Sequence, residues 1–580
     1  MQSKIPLTPL DGFWLPQQAR NQILGAPTEF VSLSFSNGRP CAATESNAIT
    51  ARWPILSDQQ WLALLASLSE NRQRAPQGQA FWKRLCAALE VTAQNLANPD
   101  NPLHRQALQA LPAYTGYSEA MIRFTLSALD LISLQGLPTA SEWLPGHRIV
   151  HGWQALPDLS GYLRFYPTSR WQPALSSLPV VRDQPLFGPA TLPELVLGYG
   201  AGNVPGTALL IAFLAQATTL AGGSPPAILV KNSRREPIFT PLVLSALEAV
   251  DPDLVATTAV LIWDYENELL QNKLLSQADL VIAAASDETI TLIQSQIARN
   301  ERPGRPSPRF HAHGHKVSFS AISRETLRRD LNDPTSHQLL LDIISLLTAL
   351  DSAFWDQHGC LSSRIHFVEQ GDSGTYSPLE YASRLETQLR LLAGLLPRGN
   401  WPRQQLHDRF DRYKQLESTG WVQVLSQYDD DFLVALDSRP LGPAALQSAV
   451  NDCQGRVILV RPVSDLMDIP NQYLRSLPSQ NLQSLSVALG EPGQTLNTRY
   501  LRFASACGKY GVTALRSAGR GAFPQLTHSW DGLIPLDLVR SRPAGHFTTI
   551  EFERPCDQLL STYHLMQQRG AVVDISPDQA

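Results

Sequence analysis

Residues 194–200 read ELVLGYG, and three more short apolar runs follow: AILVK at 227–231, TAVLIW at 258–263 and ADLVIAAA at 278–285. None alternates polar and apolar positions as a half-buried strand would. Continuous apolar runs of this length suit strands covered on both faces, the condition of a parallel sheet between helix layers. The stretches between them, at 206–221, 237–250, 265–276 and 288–300, carry helical spacing. Strand–helix alternation of this kind predicts an α/β domain built on a parallel sheet.

The same grammar continues downstream. A strand is expected at 316–322, a long helix at 336–357, and further strands at 364–369, 456–463 and 512–516. Upstream the pattern is helical, with Leu, Trp and Ala at three- and four-residue steps over 58–68, 79–95 and 118–135. The Pro-rich stretch 173–193 reads as a connector, no internal repeat is visible, and the tail from 570 is expected to be loose.

A chain of 580 residues exceeds one ordinary core, so several domains are expected. With 43% hydrophobic and 17% charged residues it is globular rather than disordered, and a net charge of −5 argues against a general nucleic-acid binder. Cys41, Cys86, Cys360, Cys453, Cys507 and Cys556 form no C-x-x-C pair, which fits neither a disulfide framework nor a zinc site and suits a reducing cytosol. The first residues, MQSKIPLTPLDGFWLP, lack the apolar core of a signal peptide. The longest apolar candidate, 207–220, is interrupted by Gln216, Thr218 and Thr219, so no membrane span and a cytoplasmic protein are expected.

Four segments carry chemistry. The stretch Gly198-Tyr-Gly-Ala-Gly-Asn-Val-Pro-Gly206 joins a strand to a helix, but Asn203 stands where a dinucleotide fingerprint needs its third glycine. Asn203 either offers an amide donor to an oxyanion or simply shapes the turn. In ILVKNSRREP (228–237), Lys231 ends a strand; Lys231 and Ser233 suit a cofactor ribose, and Arg234 or Arg235 a 2′-phosphate, unless the cluster is an exposed basic turn. In HAHGHKVSF (311–319), three histidines at two-residue steps would share a strand face, yet Gly314 interrupts and no carboxylate or thiol is close in sequence. No metal is expected; His315 is the acid/base candidate, and His311 and His313 are read as packing or surface residues. In QHGCLSSR (357–364), Cys360 sits on a turn opened by Gly359, where local N–H groups favour a reactive thiolate. The other cysteines are read as inert.

The order of these segments is more telling than any one of them. AGNVPG (201–206), ILVKNSR (228–234), GHKVSF (314–319), GCLSS (359–363) and HSWDG (528–532) together resemble the LuxC family of acyl-CoA reductases, over about 195–540. That family belongs to the aldehyde dehydrogenase superfamily, so the resemblance implies an aldehyde-dehydrogenase-like α/β fold. Its parts would be a mainly helical N-terminal and oligomerisation region (1–180), an NADP-binding domain (181–322), a catalytic domain carrying Cys360 (323–500) and a C-terminal segment packing back on the core (501–580). By that resemblance Cys360 is the nucleophile, Asn203 the oxyanion asparagine and Lys231 the cofactor-ribose lysine, with Gly202, Ser233, Arg234 and Arg235 completing the cofactor set. His315 takes the place of the superfamily's general-base glutamate. Two features depart from the superfamily: Ala284-Ala-Ser-Asp-Glu288 replaces the Gly-rich turn near the cofactor pyrophosphate, and no ribose-binding glutamate is placed.

The activity implied is NADPH-dependent reduction of a fatty acyl thioester, on CoA or acyl carrier protein, to an aldehyde through S-acyl-Cys360. A homo-oligomer and a LuxE-like acyl-protein ligase partner follow from the same resemblance. The rival readings are an acyltransferase or thioesterase that uses the cysteine without reduction, and a non-catalytic scaffold.

Overall fold

The computed structural model describes residues 9–45, 47–129, 153–155, 161–165, 192–300, 302–329, 334–491, 498–522, 530–531, 538, 546–550, 555–568, 570 and 572. The connector at 173–191 and the end of the tail lie outside them.

The N-terminal region is mainly helical, with helices at Gln17–Leu24, Asp58–Arg74, Gly78–Ala97, Pro102–Thr115 and Glu119–Ser127. Ser57 and Gln60 close a capping box on the second of these, which fixes its start. A small sheet that helical periodicity did not announce is added: β1 (Leu10–Asp11), β2 (Glu29–Ser36), β3 (Arg39–Cys41) and β4 (Ile49–Ile55), in the order β1-β4-β2-β3. Further on lie β5 (Trp153–Ala155) and β6 (Gly161–Phe165).

The four quoted apolar runs become strands β7 (Leu195–Tyr199), β8 (Ala227–Lys231), β9 (Thr258–Leu261) and β10 (Leu280–Ala284), joined by β11 (Arg309–His313). All five are parallel, in the order β11-β10-β7-β8-β9. The chain runs outward from β7 through β8 to β9, then returns to β10 on the other side of β7. The crevice at the carboxyl ends of β7 and β10 is therefore the topological switch point, where open α/β sheets bind ligands. Trp14 bridges Val260 and extends the β9 edge with two 2.8 Å backbone bonds. Apolar clusters cover both faces: Trp61, Leu64 and Trp263 on one, Ile211, Phe239 and Leu247 on the other. The strands had to be apolar throughout for that reason.

The second large sheet holds β12 (Val317–Ile322), β13 (Ser363–Glu369), β14 (Val422–Val424), β15 (Leu433–Asp437), β16 (Val457–Val463), β17 (Leu482–Ala488), β18 (Ala514–Ser517) and β19 (His546–Ile550). Its order is β14-β15-β16-β13-β12-β17-β18-β19-β6-β5, so β6 and β5 from the N-terminal region complete it. The expected boundary at 322 shifts: β12 is a central strand of this second sheet, and the crossover between the sheets falls between His313 and Val317. An apolar strand reads alike in either sheet, so sequence alone could not assign it. Helix Pro334–Ala353 has the length and apolarity to cross a membrane, but its side chains are core; Leu347 and Leu350 are buried completely. From the C-terminal segment, Tyr563 and Met566 of helix Pro555–Gln568 pack into the same cluster.

Candidate active site

The loop after β7 and the start of helix Thr207–Gln216 stand at the switch point. Gly206 adopts φ 90°, and a Cβ there would meet the Phe239 ring at 3.0 Å, so glycine is required. A Cβ on Gly202 would fall 2.1 Å from the Ser233 hydroxyl, so the loop lies directly on the 231–236 turn. Within that turn Lys231 is buried at the end of β8, its ammonium 3.8 Å from the centre of the Tyr265 ring. Burial and then the charge of Arg234 pull its pKa down to about 8, with Asp264 opposing. Arg234 is exposed and paired with Asp264; Arg235 is exposed. Glu236 is buried beneath them and accepts from the Ile238 and Phe239 amides at 3.1 and 2.7 Å; burial pushes it up to about 8. The neighbouring helix Asp287–Arg299 is capped by Ser286, and Asp287 accepts the His315 backbone N–H at 2.8 Å.

The Cys360 turn follows helix Pro334–Ala353 through an unusual backbone. Trp355, Asp356 and Gln357 all have positive φ, at 54°, 48° and 63°. Consecutive non-glycine residues in this region cost energy and persist where the surroundings over-determine them. Asp356 supplies that restraint, accepting from Arg456 Nε (2.7 Å), Trp401 Nε1 (2.9 Å) and Gly399 N (3.0 Å). Gln357 adds bonds to Ser363 O (2.9 Å) and from Val457 N (2.8 Å). The turn Gly359–Ser362 then presents Cys360, half-buried, with its carbonyl held by the Ser318 hydroxyl at 2.8 Å.

Asn203 reaches the same turn. Its Nδ2 donates to His358 O at 3.1 Å, and Tyr117 Oη fixes the Asn203 carbonyl at 2.6 Å. Gly359 lies against Val204, so the AGNVPG and GCLSS segments face each other across the junction of the two large sheets. His358 packs its ring on Trp401 at 4.4 Å, and burial lowers its pKa.

The three histidines part company. His311, on β11, is buried with Nδ1 lacking a partner among the described residues, and burial pulls it down to about 3. His315 lies beyond the end of β11, exposed, with its pKa lowered by partial burial and then by Arg364. His313 ends β11 with Nδ1 2.8 Å from Asp531 and its ring stacked on Trp530 at 3.6 Å and 9°. Asp531 also accepts from Gln483 Nε2 at 2.8 Å. Burial opposes ionisation of Asp531, but His313, Lys316 and Gln483 outweigh it and hold the carboxyl below its ordinary value. The charge of Asp531 in turn reaches Cys360: burial first, then that charge, push the thiol up to about 11, with Gln483 and Arg516 opposing.

Cys360 and Asn203 thus meet, and Lys231, Ser233, Arg235 and Gly202 cluster beside them across the loop. His315 does not join the hydrogen-bonded group around Cys360. Asp531, Gln483 and His313 are hydrogen-bonded to one another instead, and the Asp531 charge bears on the thiol. Trp530 and Asp531 stood in plain view within HSWDG; Gln483 belongs to no motif. Among the described residues there is no cluster of histidine, cysteine or carboxylate side chains that would hold a metal, and the described cysteine thiols are all free.

The family model described as acyl-CoA reductase (LuxC) matches residues 192–541. No curated protein matches the chain in sequence. Among solved structures, the chain is similar to aldehyde dehydrogenase 21 from Physcomitrella patens in complex with the reaction product succinate (11% identity, TM-score 0.53), with 92% of this chain and 97% of that one covered. An oxidoreductase from Marinobacter aquaeolei gives 11% identity and a TM-score of 0.53 over 92% and 95%. A NAD-dependent benzaldehyde dehydrogenase from Corynebacterium glutamicum gives 12% and 0.50 over 85% and 92%. These likenesses establish an aldehyde-dehydrogenase-like fold.

Proposed function

Because the chain belongs to the LuxC acyl-CoA reductase family, an oxidoreductase family, we propose that it reduces a fatty acyl thioester to the aldehyde through S-acyl-Cys360, with NADPH as the reductant. The observation that carries this reading is the meeting of the Asn203 amide and the Cys360 turn beside the basic end of β8. The Cys360 thiolate attacks the acyl carbon, and the carbonyl oxygen becomes an oxyanion. One N–H of Asn203 Nδ2 is spent on His358 O; the second, with the Cys360 backbone N–H, is available to the oxyanion. The carbon–sulfur bond to the departing thiol then breaks and the acyl group stays on Cys360. Splitting the reaction this way lets the thiol leave before reduction.

A dinucleotide fits the neighbouring turn: Gly202 lets the loop lie directly on Ser233, Lys231 offers a buried cation, and Arg234 and Arg235 stand at the rim for a 2′-phosphate. When bound, that dinucleotide supplies the hydride. Helix Thr207–Gln216 has no N-cap side-chain bond, although Glu236 takes the Gly206 N–H, whereas Ser286 caps helix Asp287–Arg299 through the Thr289 N–H, so phosphate binding is assigned to the former. Arg235→Ala or Arg234→Ala is expected to weaken NADPH by the ~1.5–3 kcal/mol of one charge-assisted contact while leaving NADH little changed. Titration of both cofactors checks this; equal losses for the two in both variants would remove the phosphate role.

Proton transfer is assigned to His313 in place of His315. Donation from Nδ1 to Asp531 fixes the tautomer that leaves Nε2 basic, the orienting arrangement general-base histidines use. His313→Ala is expected to slow turnover by about 10²–10⁴-fold with cofactor affinity intact. His315→Ala and His311→Ala should stay near wild type. Steady-state rates of the three variants decide between the histidines, and a slow His315→Ala beside a normal His313→Ala would return the role to His315.

The overall reaction is tested by following NADPH absorbance together with thiol release from acyl-CoA. Coupled loss and release support reduction. Thiol release without NADPH consumption would make the protein a transferase or thioesterase.

A further inference from the structure

The strand that faces the nucleophile turn is irregular at one level. Val317 pairs with Leu482 but Phe319 pairs with Leu485, so Ser318 alone stands opposite Gln483 and Ser484. An extra residue in one strand is a bulge, a device that re-aims side chains beside active sites. Here it sends Ser484 to the Ser318 hydroxyl (2.9 Å), the same hydroxyl that holds Cys360 O, and Gln483 to Asp531. The Gln483 backbone is fixed as well, its carbonyl accepting from Thr513 N (2.8 Å) and Thr513 Oγ1 (2.9 Å).

The Gln483 amide is buried, and its orientation is set. Nε2 must face the Asp531 carboxylate, because turning the amide over would set oxygen against oxygen. Its –NH2 has two hydrogens. One goes to Asp531, and the amide is among the groups that favour the Cys360 thiolate. Asp531 is held in turn by His313 at 2.8 Å and lies in the field of Lys316. The charged groups that bear on the sulfur are Asp531, which disfavours the thiolate, and Arg516 and Arg364, which favour it. Gln483 is the neutral donor in this set, placed by the bulge beside the Ser318 hydroxyl that holds Cys360 O.

We propose that Gln483 is a catalytic residue of the reaction, whose amide, locked by Asp531, donates to the Cys360 thiolate and aims it. The inference rests on the reading of Cys360 as nucleophile. A bulge with a doubly bonded carbonyl is more than strand packing needs, and the side chain it aims could not be found from sequence spacing.

The test is the rate of iodoacetamide modification of Cys360 in the full chain, read by mass spectrometry from pH 6 to 9, in wild type, Gln483→Met and Gln483→Glu. Both variants keep the volume and lose the thiolate donor. Gln483→Met is expected to react about ten- to a hundred-fold more slowly at each pH, the factor carried by one charge-assisted hydrogen bond. That displaces the profile by one to two pH units towards alkali. Gln483→Glu adds a negative charge and should be slower still. A purely structural glutamine would leave the profile where it is, and wild-type rates in either folded variant would overturn the proposal. The failure modes separate cleanly. If Cys360→Ala retains reductase activity, the nucleophile assignment falls; if acylation maps to Cys360 but both profiles are unchanged, only the role of Gln483 falls.

Discussion

Cys360→Ala is expected to form no acyl adduct with acyl-CoA and to oxidise NADPH at least about 10⁴-fold more slowly than wild type, the scale on which loss of a covalent nucleophile falls. Mass spectrometry after incubation with acyl-CoA alone reads the first effect, and NADPH absorbance the second. Wild type should carry one acyl group on Cys360. Access separates Cys360 from the buried cysteines but not from Cys41 and Cys86, which are half-buried too; what sets it apart from those two is the Asn203 amide on its turn. Cys453 and Cys507 are fully buried, pushed up to about 12 and well above the ordinary value respectively, whereas Cys360 is half-buried on a turn. Burial and the Asp531 charge push its thiol up to about 11, so the thiol form predominates at neutral pH. The sign is then fixed: below that value the thiolate fraction, and with it the alkylation rate, rises about tenfold per pH unit. A flat rate between pH 6 and 9 would mean a thiolate already formed at rest. An adduct on any other cysteine would sink the mechanism.

How much of this was legible in the sequence follows from what each element has to bury. Strands β7, β8, β9 and β10 were readable because both faces are covered, which forces continuous apolar runs in register with the turn chemistry between them. β11 was not readable: it follows a Pro-rich approach and carries Arg309, His311 and His313, so neither apolarity nor alternation marks it. Missing β11 also hid the crossover, and with it the fact that His313 and His315 belong to different surroundings. Position in a motif favoured His315, but tertiary geometry gives the carboxylate partner to His313. The turns that carry Cys360 and Asn203 were legible because each bears glycine within a quoted motif, although only Gly206 has the positive φ that demands it, and the left-handed stretch at Trp355–Gln357 had no glycine to mark it. Gln483 was invisible because a bulge depends on pairing between strands far apart in sequence, as in the bond between Ser318 and Ser484. Ordinary strand residues flank it on both sides.

The same reasoning singles out the buried pair behind the Cys360 turn, where the largest loss of stability is expected. Arg456 and Asp356 both have side chains at 0% exposure, joined at 2.7 Å, and Arg456 also donates to Leu396 O at 2.7 Å. Taking two charges out of water is costly, so such a pair adds little net stability over an apolar replacement of both partners; removing one partner alone strands a buried charge. Asp356→Asn keeps the shape and an acceptor for Trp401 Nε1 or Gly399 N, but leaves the Arg456 cation uncompensated. Destabilisation of about 3–5 kcal/mol is expected, measured as a fall in the denaturant midpoint. Function should suffer beyond stability, because Asp356 is the middle residue of the three at positive φ. Without its ion pair the segment can relax toward ordinary dihedrals and carry the His358–Cys360 turn away from Asn203. Asp356→Asn should therefore lower the acylation rate of the folded fraction, with cofactor affinity at the β8 turn unchanged. Arg456→Met is the informative companion: it strands the Asp356 carboxylate instead, but with two N–H donors on it against the single acceptor, Leu396 O, that Arg456 keeps in Asp356→Asn. It should lose less stability than Asp356→Asn if desolvated charge dominates. The reverse order would mean that the guanidinium's bond to Leu396 O, and the packing it brings, matters more than the charge.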